Sequence, residues 1–242
     1  MSLADSVLRF INNPSFSSRM DINERLGWTK IITPDDLDKH MAEIGQAEAN
    51  AHLATQMFRD FPLEEKASLL IPGCGTGQMF DYLTQVEVNQ ISKYNYTFTD
   101  FRREFLERLK QRLAQNLPIR YTCLEDDIEK TRLQGEYDGI LLVLVLQHVE
   151  WEKALTSMLG LNPSRFYIIE QFNKGGGSPI TKERKLQPTM KEYAETVKNT
   201  ACLVNIRELT YYLSERHYGL LRTYEREVSD NKKMVGLVFE HR

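Results

Sequence analysis

A chain of 242 residues, 41% hydrophobic and 27% charged, can bury one sizeable core, which excludes a disordered or fibrous chain. Its 31 Lys and Arg against 34 Asp and Glu leave a formal charge of −3, so a polyanion such as nucleic acid is not an expected partner. Three scattered cysteines (Cys74, Cys123, Cys202) make no disulfide framework and suit a reducing cytoplasm, and no apolar run approaches the ~20 residues of a membrane span or a secretory signal.

Leu3, Val7, Leu8, Phe10 and Ile11 recur at helical spacing until Asn13-Pro14. A longer helix opens at Thr33-Pro34, an N-cap followed by proline at the first helical position, with Asp35 and Asp36 favouring the positive helix end. Leu37, Met41, Ile44, Ala51 and Phe58 carry its stripe to about residue 58. Residues 1–62 are therefore expected to form a helical extension or lid, ahead of an α/β domain over 63–242.

From residue 68 short apolar runs alternate with helices. Strands are predicted over 68–72, 94–99, 119–123, 139–146 and 166–172, with helices from Phe101 to Leu113 and from Trp151 to Leu159. This alternation predicts a doubly wound parallel sheet. The rhythm then changes. Residues 173–188 are a glycine-rich basic loop, followed by a helix over 190–198; together they make an insertion over about 173–200 after the fifth strand, expected to cap the sheet and contribute to an acceptor pocket. Asn205 and Glu208 mark a capping box for a helix ending at His217 with Gly219 as its stop. Strands over 220–228 and 234–240, joined by a short turn, predict a hairpin that closes the sheet with a reversed strand.

The first strand runs into Gly73-Cys74-Gly75-Thr76-Gly77 before the next helix. Alternating glycines allow a sharp turn and close approach of a ligand to the main chain, where open α/β sheets bind ligands. A dinucleotide fingerprint needs its third glycine three residues after the second; here Gly77 follows Gly75 by two and residue 78 is Gln. No Gly-Lys-Ser/Thr follows, so a pyrophosphate is disfavoured. Asp100, ending the second strand, can hold a ribose diol, cap a helix, or do both. Asp126 and Asp127 after the third strand can receive an adenine amino group or form a solvated turn.

In order and spacing, residues 69–77, Asp100, Leu124-Glu125-Asp126-Asp127-Ile128 and Leu146-Gln147-His148-Val149 resemble the class I S-adenosylmethionine-dependent methyltransferases. The resemblance covers about residues 65–172 and implies a seven-stranded, mostly parallel sheet whose sixth and seventh strands are antiparallel. It also implies S-adenosyl-L-methionine as cofactor. Gly73, Gly75 and Gly77 would flank its methionine part, Asp100 its ribose, and Asp127 and Ile128 its adenine, with Gln147 and His148 beside the sulfonium. Cys74, Phe101, Asp126 and Leu144 complete the implied cofactor set. One departure stands out. The family often has an acid two places before the first glycine, where this chain has Ile71, so the methionine end must rest on other groups, such as main-chain carbonyls near Gly73.

Methyl transfer needs a positioned nucleophile and, for a hydroxyl, thiol or protonated amine, a base. His148 is the candidate base; a purely positioning role is an equal alternative. No carboxylate–amide cluster suited to a metal follows the fourth strand, so none is expected. The Asn/Asp-Pro-Pro-aromatic tetrapeptide common in enzymes that methylate base amino groups is also absent. The acceptor is expected to be a small molecule taking the methyl on oxygen or nitrogen, with sulfur open. It is anionic if Lys174, Lys182, Arg184, Lys185 and Lys191 take part; otherwise that loop is simply solvated. Trp28, Met41, Met190 and Tyr193 are read as core, with an apolar pocket as the alternative. Methylation of a protein side chain, a non-catalytic cofactor-binding scaffold and, more distantly, a nicotinamide oxidoreductase are the competing functions. A monomer or homodimer, without membrane attachment, is expected.

Overall fold

The computed structural model describes residues 27–173, 186–196, 203–229 and 232–242. The expected helix over 3–11, Cys202 and most of the basic loop lie outside these residues. β1 (Ser68–Pro72), β2 (Asn95–Asp100), β3 (Arg120–Glu125), β4 (Gly139–Val143), β5 (Arg165–Asn173), β6 (Tyr218–Glu227) and β7 (Lys232–His241) form one sheet in the order β3-β2-β1-β4-β5-β7-β6. β1 pairs in parallel with both β2 and β4, so strand order reverses there and a crevice opens at the carboxyl ends. β7 runs antiparallel to β5 and β6, as the short closing turn requires.

The central strands read as unbroken apolar runs because both sheet faces are covered. Leu69, Ile71, Leu141, Tyr167 and Ile169 face the core shared with Leu53, Met57 and Phe58. Leu70, Ile140, Leu142, Phe166 and Ile168 face the opposite core, with Trp151, Leu155 and Leu209. Trp151 is thus a core residue, packed on Tyr212 with ring centroids 5.2 Å apart.

Several expected boundaries move. The single helix over 33–58 is two, α1 (Pro34–Glu43) and α2 (Gln46–Asp60), because Gly45 adopts φ 75° and its amide turns back to the Ala42 carbonyl. A glycine in the left-handed region ends a helix; the apolar stripe continues across the break only because both helices pack toward the same interior. α1 begins as read, Thr33 accepting from the Asp36 amide. β4 stops at Val143 rather than 146. Leu144 has φ 56° and residues Leu146–His148 wind into one short turn, so Leu144 and Val145 border the crevice instead of extending the strand, while Leu146 packs into the core.

α3 (Gln85–Ile91) precedes β2, α4 (Arg103–Asn116) follows it, and α5 (Trp151–Leu159) links β4 to β5. α6 (Pro188–Thr196) and α7 (Ile206–Ser214) precede the hairpin. Asn205 caps α7 through the amides of Arg207 and Glu208. The chain leaves that helix at His217, φ 67°, whereas Gly219 already belongs to β6.

The residues expected as an N-terminal lid divide. α2 is a layer of the sheet, its Met57 and Leu53 packed on Gly236 of β7. α1 and the turn Gly27–Ile31 stand over the crevice with α6. Asp36 of α1 accepts from the amide and hydroxyl of Thr189 at 2.8 and 2.7 Å, tying the two cap helices together.

Candidate functional site

β1 delivers Gly73, Gly75 and Gly77 to the crevice with φ of 58°, 56° and 69°, a region that other residues adopt only at a cost. Close packing adds a second demand at two of them. A Cβ on Gly73 would lie 2.3 Å from Val145 Cγ2, and one on Gly77 2.3 Å from Leu109 Cδ1. At Gly75 a Cβ would meet no protein atom within 4 Å. Asp100 ties this loop to β2: its carboxylate accepts from the Gly75 amide at 2.9 Å and from the Arg102 amide at 2.9 Å. Burial raises the Asp100 pKa to about 6, while these amide bonds pull the other way.

Two further residues hold the loop from behind. Arg112 of α4 donates to the Thr76 carbonyl and pairs with Asp38 and Asp81, each at 2.8 Å. The Thr76 hydroxyl donates to Asp38 of α1. Nothing in the local sequence marks Asp38 or Arg112, because residues 38, 76 and 112 meet only through the fold. Arg102 likewise donates to the carbonyls of Trp28 and Ile32, anchoring the cap.

Every residue expected at the cofactor, and His148, lines one cavity. Asp126 turns its carboxylate onto Thr131 and the Arg132 amide, and Asp127 accepts from the Glu129 amide at 3.0 Å, so both build the turn after β3 while bordering the cavity. Phe101 is half-exposed at its rim, and Ile128 is buried. Leu144 holds its positive φ with its amide donating to Ile169 at 2.8 Å. At the far end of the crevice, Gln46 of α2 donates to Gln171 of β5 at 2.8 Å, and Gln171 to Asn173 at 2.9 Å. Asn50 lies one helical turn beyond Gln46, its Oδ1 buried with no hydrogen-bond partner among the described residues. The glycines and acids are legible in the chain, whereas these amides carry no sequence signal.

Trp28, Met41, Met190 and Tyr193 do both: Met190 and Tyr193 are buried in a small hydrophobic cluster with Trp28 and Met41 packed against it, and all four line the same cavity. Trp28 Nε1 donates to Tyr193 Oη at 3.0 Å, and its ring lies 4.5 Å from that of His148. Tyr193 Oη is 3.4 Å from His148 Nδ1, and Gln147 Nε2 is 3.0 Å from His148 Nε2. The turn carrying His148 therefore touches the glycine loop through Val145 and the cap through the imidazole. Among the described residues, no group of three or more His, Cys, Asp or Glu side chains converges as a metal site needs, and no helix is long and apolar enough to cross a membrane.

A sheet ordered 3-2-1-4-5-7-6, reversed only at β7, has the fold of class I methyltransferases. Residues 70–161 match the family model described as a methyltransferase domain. That match begins within β1, ends just past α5, and takes in the glycine loop, Asp100, Asp127 and His148. Among solved structures, magnesium protoporphyrin IX methyltransferase from Synechocystis PCC 6803 with bound SAH aligns over 99% of this chain and 94% of its own, at 14% identity and a TM-score of 0.58. The plantazolicin methyltransferase BpumL in complex with SAH aligns over 91% of this chain and 94% of its own, at 15% identity and a TM-score of 0.62. Prosolanapyrone synthase of Alternaria solani is 31% identical over 143 residues, 56% of this chain. The match spans 5% of that synthase's length.

Proposed function

We propose that the chain binds S-adenosylmethionine across the glycine loop and transfers its methyl group to a small molecule held under the α1–α6 cap. One observation carries this reading: a single cavity joins the glycine loop and Asp100 to Trp28, Met41, Met190 and Tyr193, with His148 at the join. The cavity suits that cofactor on two counts. Only glycine leaves the space above residue 75 open, and Asn50 Oδ1 and Gln147 Oε1 are buried polar atoms without a protein partner among the described residues.

When bound, the cofactor supplies a methyl group on a positively charged sulfur, activated for displacement with the carbon–sulfur electron pair left on sulfur. The chain's own residues then have limited work. Asp100, ionised above pH 6, accepts from the ribose hydroxyls, and Asp127 with Ile128 bounds the adenine. Gln46, Asn50 and Gln171 receive the amino-acid end, for which β1 offers only Ile71 and Pro72. His148, held between Gln147 and Tyr193, takes the acceptor's proton, and the cap excludes water while holding the acceptor in line.

Calorimetry with S-adenosylmethionine, its demethylated product and NAD tests the first half: association with the first two and none with NAD is expected. Labelled methyl donor offered with small alcohols and amines, and separately with a protein lysate, tests the second. Label arriving on protein and never on a small molecule would overturn it.

A further inference from the structure

We infer that the acceptor is a flat, uncharged aromatic alcohol. Resting on the methyltransferase reading, this names the substrate class of the same site. Four chain segments, the turn at Gly27–Ile31, α1, the turn after β4 and α6, converge to build the acceptor end, and what they bring is rings and thioethers. Trp28 lies 4.5 Å from His148 at 54°, 5.7 Å from Tyr193 at 64° and 6.4 Å from Phe105 at 89°. Rings that meet at steep angles present edges and faces in alternation, an arrangement that a further flat ring extends by edge-to-face contact. Met41 and Met190 add unbranched, polarizable side chains that adapt to a ring's edge.

A polar seam runs through this apolar surface, beside which His40 of α1 and Gln147 also line the cavity. Trp28 Nε1 donates to Tyr193 Oη, which lies beside His148 Nδ1. A seam of that width orients a single hydroxyl and delivers its proton to the imidazole. Charge points the same way. None of the cavity's described lining residues, at this end or the other, is Lys or Arg. An anionic acceptor would lose its water there without a Lys or Arg side chain to pair with. The basic residues 174, 182, 184 and 185, which suggested an anionic acceptor, lie outside the described residues and are the competing explanation.

The test uses the full chain saturated with the demethylated cofactor product and a matched pair of probes, 2-naphthol and 2-naphthoate, titrated by calorimetry. The expected result is association of the naphthol about tenfold or more tighter than the naphthoate, the scale of one well-placed ring or one unpaired charge. Trp28→Ala should remove naphthol binding while leaving affinity for the demethylated cofactor unchanged. Met190→Lys, which places a cation in the same wall, should turn the preference toward naphthoate and serves if Trp28→Ala does not fold. Equal or tighter binding of naphthoate by the unaltered chain, weakened by K182E and R184E, would overturn the inference in favour of the basic loop. Binding of neither probe would also overturn it. Absence of binding by the cofactor product itself would instead defeat the methyltransferase reading.

Discussion

Gly73 and Gly75 share a positive φ, yet a side chain costs something different at each. At Gly73 a methyl group would press on Val145 from 2.3 Å, so Gly73→Ala should lower stability by about 2–3 kcal/mol through strain and overpacking. At Gly75 the same methyl meets open space, and the cost in stability should be about 1 kcal/mol. The expected loss there is binding: Gly75→Ala should weaken the demethylated cofactor product at least ~10-fold, equivalent to ~1.4 kcal/mol, by occupying the floor of the site. Urea titration beside calorimetry separates the two variants.

Glu170 of β5 carries a different tension. It is fully buried on the face opposite the cavity, and neither carboxyl oxygen reaches a partner at full hydrogen-bond geometry among the described residues. Burial pushes its pKa up to about 8, against the pull of the Leu146 amide. A carboxyl raised on folding stabilises the native state below its unfolded pKa, and that contribution disappears as pH rises through about 8. Glu170→Gln keeps the shape and removes the titration. The variant should therefore gain stability relative to the parent between pH 5 and pH 8, by roughly 3 kcal/mol at the upper end, at about 1.4 kcal/mol per tenfold change in proton affinity. Parallel stability curves over that pH range would contradict this.

Between elements, the cap and the glycine loop are linked by Asp38. This residue sits on α1, accepts from the Thr76 hydroxyl and pairs with Arg112, whose side chain is mostly buried and also holds the Thr76 carbonyl. Removing one partner of such a cluster leaves the other charge under-satisfied. Asp38→Ala should accelerate amide hydrogen exchange in α1 and in residues 73–77 together, while β4 and β5 keep their protection. Faster exchange in α1 alone would show that the cap and loop open independently. Reading helices as single stripes missed this relation. The stripe through Leu37, Met41 and Ile44 is real, but Gly45 turns the chain, leaving α1 over the crevice and α2 on the sheet. A glycine within an apolar pattern was the available signal. Likewise Leu144 reads as strand, being apolar in an apolar run, and only the crevice it borders explains its left-handed backbone.

Across the whole molecule, ligand binding should report on the crevice as one unit. A ligand held only by the native state raises stability by mass action, by about 2.7 kcal/mol at a concentration 100 times its dissociation constant. Saturating S-adenosylmethionine should thus raise the melting temperature by several degrees, and NAD should not. Gly75→Ala should lose the shift and Trp28→Ala should keep it, because a methyl group at residue 75 fills space left open to the cofactor, whereas the Trp28 ring packs on His148 and Tyr193.

What the chain determined by itself is local or periodic: β1 over 68–72, α5 over 151–159, the reversed hairpin, and the glycines and acids at strand ends. Each follows from a spacing or a turn contained within a few residues, where covalent connectivity already sets the geometry. Only tertiary structure decided that Trp28, Met41, Met190 and Tyr193 wall a cavity, that Asn50 and Gln46 close its far end, and that Asp38 and Arg112 brace the glycine loop. An apolar or amide side chain carries no local mark of whether it will face a packed interior or an open crevice. That depends on which distant segment arrives opposite it.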